Sequence, residues 1–174
     1  EKSNEITAIP ALLKVLELKG AIVTIDAIGT QKEIVETLVE KGAEYVLPVK
    51  ENQGRLYDQV AATFAEALAR EFQYVPHDRY QTVDKGHGRI EVRTCWTISR
   101  EDYLEALGER PAWPHLRTIA MVQAERRMGE EPPTVTTRYY ISSLPGKAGQ
   151  VLEAVRSHWG IENQLHWSLD VTFH

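Results

Sequence analysis

Ala21-Ile22-Val23-Thr24-Ile25-Asp26 carries no charge until its last residue, and a turn and a helix start follow it at once. Such a run fits a strand covered on both faces, as in parallel sheets. Ligands of open α/β sheets gather at the carboxyl ends of their strands, so the Asp26 carboxylate is expected in a crevice rather than in the core. Upstream, Ile6, Ile9, Leu12, Leu13 and Leu16 recur at helical spacing, and Lys19-Gly20 supplies a stop. Downstream, Thr30-Gln31-Lys32-Glu33 has the S/T-x-x-E form of a capping box, with Ile34, Val35, Leu38 and Val39 as the buried face and Lys41-Gly42 as the exit. A second strand is expected from Tyr45 to Lys50. Strand, helix and strand within about thirty residues make a βαβ unit with parallel strands, so the fold class expected is α/β.

The middle of the chain reads differently. After a further amphipathic helix carrying Leu56, Val60, Phe64 and Leu68, the pattern drops to a period of two. Ile90, Val92, Thr94, Trp96 and Ile98 share one face, and Glu91, Arg93, Cys95 and Thr97 share the other, which predicts a half-exposed strand. Leu116 to Arg126 and Thr134 to Ser142 read as two more strands, joined by Gly129-Glu130-Glu131-Pro132-Pro133. The helical period returns from Ala148 with Val151, Leu152, Val155, Ile161 and Leu165. The expected organisation is an α/β core of residues 1–72 and 142–174, with an antiparallel β-rich insertion, 73–141, before the last helix.

The 174 residues, 43% hydrophobic and 26% charged, have ordinary globular composition. A single cysteine, Cys95, excludes an internal disulfide framework and fits a reducing compartment, so a cytoplasmic location is expected. No stretch approaches the length of a membrane span. The net charge of −5 disfavours a dedicated nucleic-acid module, which is usually basic, so local patches must carry any phosphate binding.

On the last helix His158, Glu162 and His166 fall at i, i+4 and i+8 and form one polar stripe, with Trp159, Asn163 and Trp167 beside it. A helical glutamate packed near Asp26 would meet it across a divalent ion, because hard cations take one or two carboxylates plus phosphate oxygens. Zinc is disfavoured, since its helical histidines stand one turn apart and these stand two. Lys85-Gly86-His87-Gly88-Arg89-Ile90-Glu91-Val92-Arg93 places Glu91 and Arg93 on the strand face taken as exposed, with Arg89 just ahead. These charges either guard a strand edge or, with Lys85, track phosphates. Glu91 is the rival of Glu162 as a metal ligand. Lys50 and Asn52, beyond the second strand, share a rim with Asp26 as phosphate ligands or as a surface turn. For Asp26 itself the alternative is a turn aspartate capping a helix; for Glu162, a solvated helix position. Asp84 and Asp170 read as structural.

Four segments carry a resemblance: Glu1-Lys2-Ser3-Asn4-Glu5-Ile6; Ile25-Asp26-Ala27-Ile28-Gly29-Thr30-Gln31-Lys32; Tyr45-Val46-Leu47-Pro48-Val49-Lys50-Glu51-Asn52-Gln53; and the stretch from His158 to Phe173 with its His-Trp-x-Ile-Glu-Asn-x-x-His-Trp string. Together they resemble the H-repeat-associated family of bacterial DDE transposases nearly end to end. The resemblance implies an RNase H-like core in which three acids bind Mg²⁺ or Mn²⁺ and drive phosphodiester hydrolysis and strand transfer at transposon ends. Asp26 matches the second acid and Glu162 the third. The first acid would precede this chain, which implies an incomplete core lacking its first strands, inactive unaided, with an exposed sheet edge that invites a homodimer. Wider relatives carry Tyr-x-x-Arg-x-x-x-Glu-x-x-x-x-x-x-Lys around the glutamate; here Val155, His158, Glu162 and Leu169 stand at those positions. The Tyr and Lys roles therefore do not carry over, and His158 or Arg156 stands for the arginine. The resemblance makes His158 and His166 contacts to DNA phosphate or supports of the glutamate, and Trp159 and Trp167 core aromatics or base-stacking platforms. A catalytically inactive remnant that binds DNA or a protein partner is the alternative function. An unrelated metal-free α/β protein would leave the histidine stripe far from Asp26.

Overall fold

Helical spacing from Ile6 onward produces α1 (Glu5–Val15), but among its described side chains only Leu13 is buried, and Leu12 and Val15 face outward. The computed structural model describes the backbone at residues 5–86, 88–108, 112–129 and 131–172, and the side chains at 8–27, 29–86, 88–108, 112–129 and 131–160. The strand expected at 21–26 is only β1 (Ile22–Val23), which runs parallel to β2 (Glu44–Val49) through Ile22 opposite Glu44 and Val23 opposite Tyr45. It lies at a sheet edge, and its Ile22 is 42% exposed, so it is not covered on both faces. The chain leaves the sheet early because Asp26 caps a single 3₁₀ turn, Ala27–Gly29.

Next comes α2 (Lys32–Glu40), which buries Ile34, Val35 and Leu38. The capping box does not form. Gln31 is the N-cap and makes no side-chain cap bond, because the buried Thr30 hydroxyl instead donates to Pro48 O at 2.9 Å and ties the turn to β2. The helix ends where Gly42 takes φ +71°, the left-handed conformation that only glycine adopts freely. Then α3 (Arg55–Ala69) buries Leu56, Val60 and Phe64, leaving Leu68 38% exposed.

The rest is a run of antiparallel strands. β3 (Asp78–Gly86) and β4 (Arg89–Ile98) are followed by α4 (Glu101–Ala106), β5 (Thr118–Met128) and β6 (Thr134–Ser142). Neither β3 nor α4 is a separate element of the sequence reading, and β5 begins two residues beyond Leu116, which is buried in the core ahead of it. All six strands form one sheet in the order β1-β2-β6-β5-β4-β3, with β6 antiparallel to β2, Leu47 opposite Ile141. The fold is mixed α/β, consistent with the RNase H-like class.

Alternation along the strands splits the core in two. Tyr45, Leu47, Ile98, Ile119, Met121 and Ile141 meet α2, α3 and α4 on one face. Val46, Cys95, Ala120, Val122 and Tyr140 meet α5 (Ala148–Thr172) on the other. Fully burying an aliphatic side chain is worth about 1.5–3 kcal/mol, so Val151, Leu152 and Val155 fix the docking of the first half of α5. The helix starts over β3, where Ala148 N donates to Asp78 Oδ2 at 2.9 Å. It reaches the opposite edge at Thr24, just past β1. This diagonal brings the His158 turn of the helix to Asp26.

Candidate functional site

Asp26 sits where the chain leaves the sheet. Its Oδ1 accepts the Ala27 N–H at 2.6 Å and lies 3.7 Å from Lys50 Nζ, while Oδ2 has no hydrogen-bond or ion-pair partner among the described residues. Capping fixes the carboxylate through one oxygen and leaves the other directed away from the backbone. Both members of the ion pair are more than half exposed, so their pairing adds little stability and leaves each open to a ligand. Asn52 follows on the same rim, its Nδ2 donating to Ala27 O at 3.3 Å, and Gln53 ties the rim down with bonds to Ala27 O and Thr30 O.

Helix α5 closes the other side. His158 Nδ1 lies 3.2 Å from Thr24 Oγ1, two residues before Asp26. Together these groups border a cleft of about 270 Å³ that includes Asp26, Lys50, Arg138, Tyr140, His158 and Trp159. Position 162 follows one helical turn later on the same stripe as His158. The side chains of Glu162 and His166 lie outside the described residues.

A second group forms beside the cleft. Arg93 pairs with Asp84 at 2.6 Å and with Glu91 at 2.9 Å, Arg156 reaches Asp84 at 3.1 Å, and Arg89 lies 3.7 Å from Glu91. Arg138 and Arg93 both stack on the Trp159 ring, at 4.8 and 5.8 Å from its centroid. The strand face carrying Glu91 and Arg93 is therefore not exposed as the alternation implies. Glu91 is 7% exposed and Arg93 15% by its side chain, because α5 and Trp159 cover them. Glu91 already serves two arginines, which leaves it poorly disposed to hold a cation. Asp84 acts structurally, joining β3 to β4 and α5 through Arg93 and Arg156.

Of the positions singled out in the sequence, Asp26, Lys50, Asn52 and His158 come together, and Arg89, Arg93 and Arg156 form the neighbouring cluster. Lys85 stands opposite Ile90 on the sheet face away from α5. Sequence reasoning missed Arg138 and Tyr140, which line the cleft from β6. Their even spacing along Thr134 to Ser142 puts them on one face, but only the pairing of β6 with β2 says that this face meets Asp26.

Among the described residues no three His, Cys, Asp or Glu side chains converge on a point suited to a metal. Among the described residues lining the cleft Asp26 supplies the one carboxylate, and a divalent ion satisfied by one or two carboxylates plus phosphate oxygens fits that donor set.

The sequence matches the family model described as "Transposase DDE domain" over residues 1–174. It is 40% identical, over 98% of its length, to "Putative protein YbfL" and to "H repeat-associated putative transposase YhhI", both of Escherichia coli strain K12. It is 39% identical to "Putative transposase YncI" of Escherichia coli O157:H7. The chain spans about half the length of these curated relatives, covering 45% of the first two and 43% of the third. No solved structure matches it significantly.

Proposed function

Because the chain belongs to the transposase DDE-domain family, we propose that it supplies Asp26 and Glu162 to a divalent-cation site that acts on the phosphodiester bonds of DNA in transposition. The single observation that supports this reading most is the contact of His158 with Thr24. An α/β protein of other design has no reason to bring the His158–Glu162 stripe of a distant helix to the strand end that carries Asp26.

In this reading Mg²⁺ or Mn²⁺ is held by Asp26 and Glu162, and the bound cation supplies charge stabilisation to the phosphoryl group. The chain's own residues do the rest. Lys50, beside Asp26, neutralises a phosphate entering the cleft, and Asn52 offers an amide on the same rim. His158 holds α5 against the strand end and sets where the following turn stands. Arg89, Arg93 and Arg156 act mainly as a braced cluster, each already committed to Asp84 or Glu91, and DNA reaches them as a secondary contact. His166 completes the set of DNA contacts, whereas Lys85, on the sheet face away from α5, stands apart from it. A homodimer across the outer edge of β1 belongs to the same reading, since among the described residues β1 pairs on one side only. No helix among the described residues is long and apolar enough to cross a membrane.

Calorimetric titration with Mn²⁺ tests the metal site. Binding by the 174-residue chain that Asp26→Ala and Glu162→Ala each abolish is the expected result. Binding indifferent to both substitutions, or none at all, would overturn the site and favour a remnant that binds DNA or a partner without catalysis.

A further inference from the structure

Along the α5 face of the sheet, β4, β5 and β6 extend beyond the helix's apolar contacts and end in a shallow groove of about 360 Å³. Register places Arg138 beside Val122, Thr136 beside Ala124, and Thr134 beside Arg126. Side chains alternate along a strand, so all of these point to the same face. Ala124, Thr134 and Thr136 line it together with Glu91, whose charge is taken up by Arg89 and Arg93, and Arg126 and Arg138 stand on it exposed, with no ion-pair partner among the described residues. Arg138 and Trp159 line both this groove and the Asp26 cleft, so the two adjoin at the Arg138–Trp159 stack. The stack of Arg138 on Trp159 holds its guanidinium at the junction.

We infer that this shelf is a binding track for one sugar–phosphate backbone of DNA, with Arg138 at the mouth of the Asp26 cleft and Arg126, Thr134 and Thr136 further out. This rests on DNA being the substrate, and it adds a path that the acids and Lys50 do not define. Guanidinium groups and threonine hydroxyls are donors of the kind that bind phosphate oxygens without reading sequence. Arg138 and Thr134 are four residues apart on β6, about 14 Å of strand. Phosphates of one strand rise about 3.4 Å each along the duplex axis but lie roughly twice as far apart along the winding backbone, so that distance meets about two to three of them. The chain's overall charge of −5 gives no general attraction for a polyanion, so binding must be local.

The test is fluorescence anisotropy of a labelled oligonucleotide against the 174-residue chain in EDTA, repeated across a salt series. Arg126→Ala and Arg138→Ala are each expected to weaken binding about tenfold, regardless of sequence. Each should also lower the slope of log K against log salt by about 0.7–0.9. Arg138→Lys should keep the slope while losing part of the affinity. Arg127→Ala, on the opposite face and paired with Glu125, should leave both unchanged. Wild-type affinity and slope in both shelf variants, or an equal loss in Arg127→Ala, would overturn the track. Should Arg138→Ala fail to fold, Arg126→Ala decides alone, since Arg126 makes no ion pair among the described residues. Because EDTA removes the cation, failure of the Mn²⁺ titration leaves this result standing, and loss of the track leaves the titration standing. A chain that binds no DNA at all would sink the track and the DNA substrate on which it rests, while the titration would still report on the cation site.

Discussion

One oxygen of Asp26 caps the turn and the other is proposed to hold a cation, and the two roles can be separated chemically. Asparagine caps a helical turn about as well as aspartate does, whereas alanine cannot accept the Ala27 N–H. Asp26→Asn should therefore leave stability to urea within about 0.5 kcal/mol of the parent, while Asp26→Ala should cost about 1 kcal/mol. Both should lose Mn²⁺ binding. If the Asp26→Asn variant retained the cation, or if both variants lost only stability, the carboxylate would be a turn residue and nothing more. Gly29 enforces the same geometry from the other end of the turn, because a Cβ there would overlap Ile25 Cγ2. The residue before Asp26 and the residue closing its turn are thus packed against each other, which leaves the carboxylate little freedom to drift.

At the scale of elements, α5 connects the core to the site, and its weakest position is Gly160, between Trp159 and the turn that carries Glu162. A methyl group at that position would meet no atom of the described residues within 4 Å outside the helix's own backbone. Gly160→Ala is expected to stabilise the chain by about 0.8–1.0 kcal/mol, the helix-propensity difference. That corresponds to a rise in Tm of about 2–4 °C for a chain of this size. A drop in Tm in a thermal melt would mean that the backbone there departs from a regular helix. Much of this helix was legible in advance, because Val151, Leu152 and Val155 announce both its period and its buried face. The parallel pairing of β1 with β2 was legible from the strand–helix–strand order. The cover over Glu91 and Arg93 was not. Period-two alternation reports that two faces differ, not that a helix some sixty residues later will lie across the charged one. The capping box failed for a similar reason, since Thr30 found a better acceptor in Pro48, a partner no local pattern contains. Asp26 and Lys50 could be picked from sequence because each follows a strand, and His158 because it shares a helical stripe with Glu162 and His166. Arg138 and Tyr140 could not, because their role depends on strand register.

For the whole molecule, the segment 73–141 reads from sequence as an insertion, yet its last strand, β6, pairs directly with β2 and its strands carry both cores. We expect one cooperative unit, and two buried acids on opposite faces of the sheet provide a probe of it. Tyr45 lies in the larger core, its hydroxyl donating to Pro114 O at 2.9 Å; Cys95 lies in the core beneath α5. Burial, reinforced by the Asp78 carboxylate, pushes the Cys95 thiol from 9.0 up to about 12. Burial, reinforced by Glu44, raises the Tyr45 phenol as well. For both groups the folded state holds the proton more tightly than the unfolded chain, so above about pH 9 the unfolded state binds fewer protons and stability falls as pH rises. Below that pH their contribution is fully present. Urea midpoints should thus be level from about pH 7 to 9 and then decline towards pH 12, with Cys95→Ala reducing the slope between pH 9 and 12. If the sheet folds as one piece, circular dichroism and tryptophan fluorescence will give the same midpoint at every pH. Cys95 will then react with iodoacetamide only in that transition. A second transition, with Cys95 alkylated while the Tyr45 core stays folded, would show instead that the β-rich segment and α5 form a unit that opens on its own.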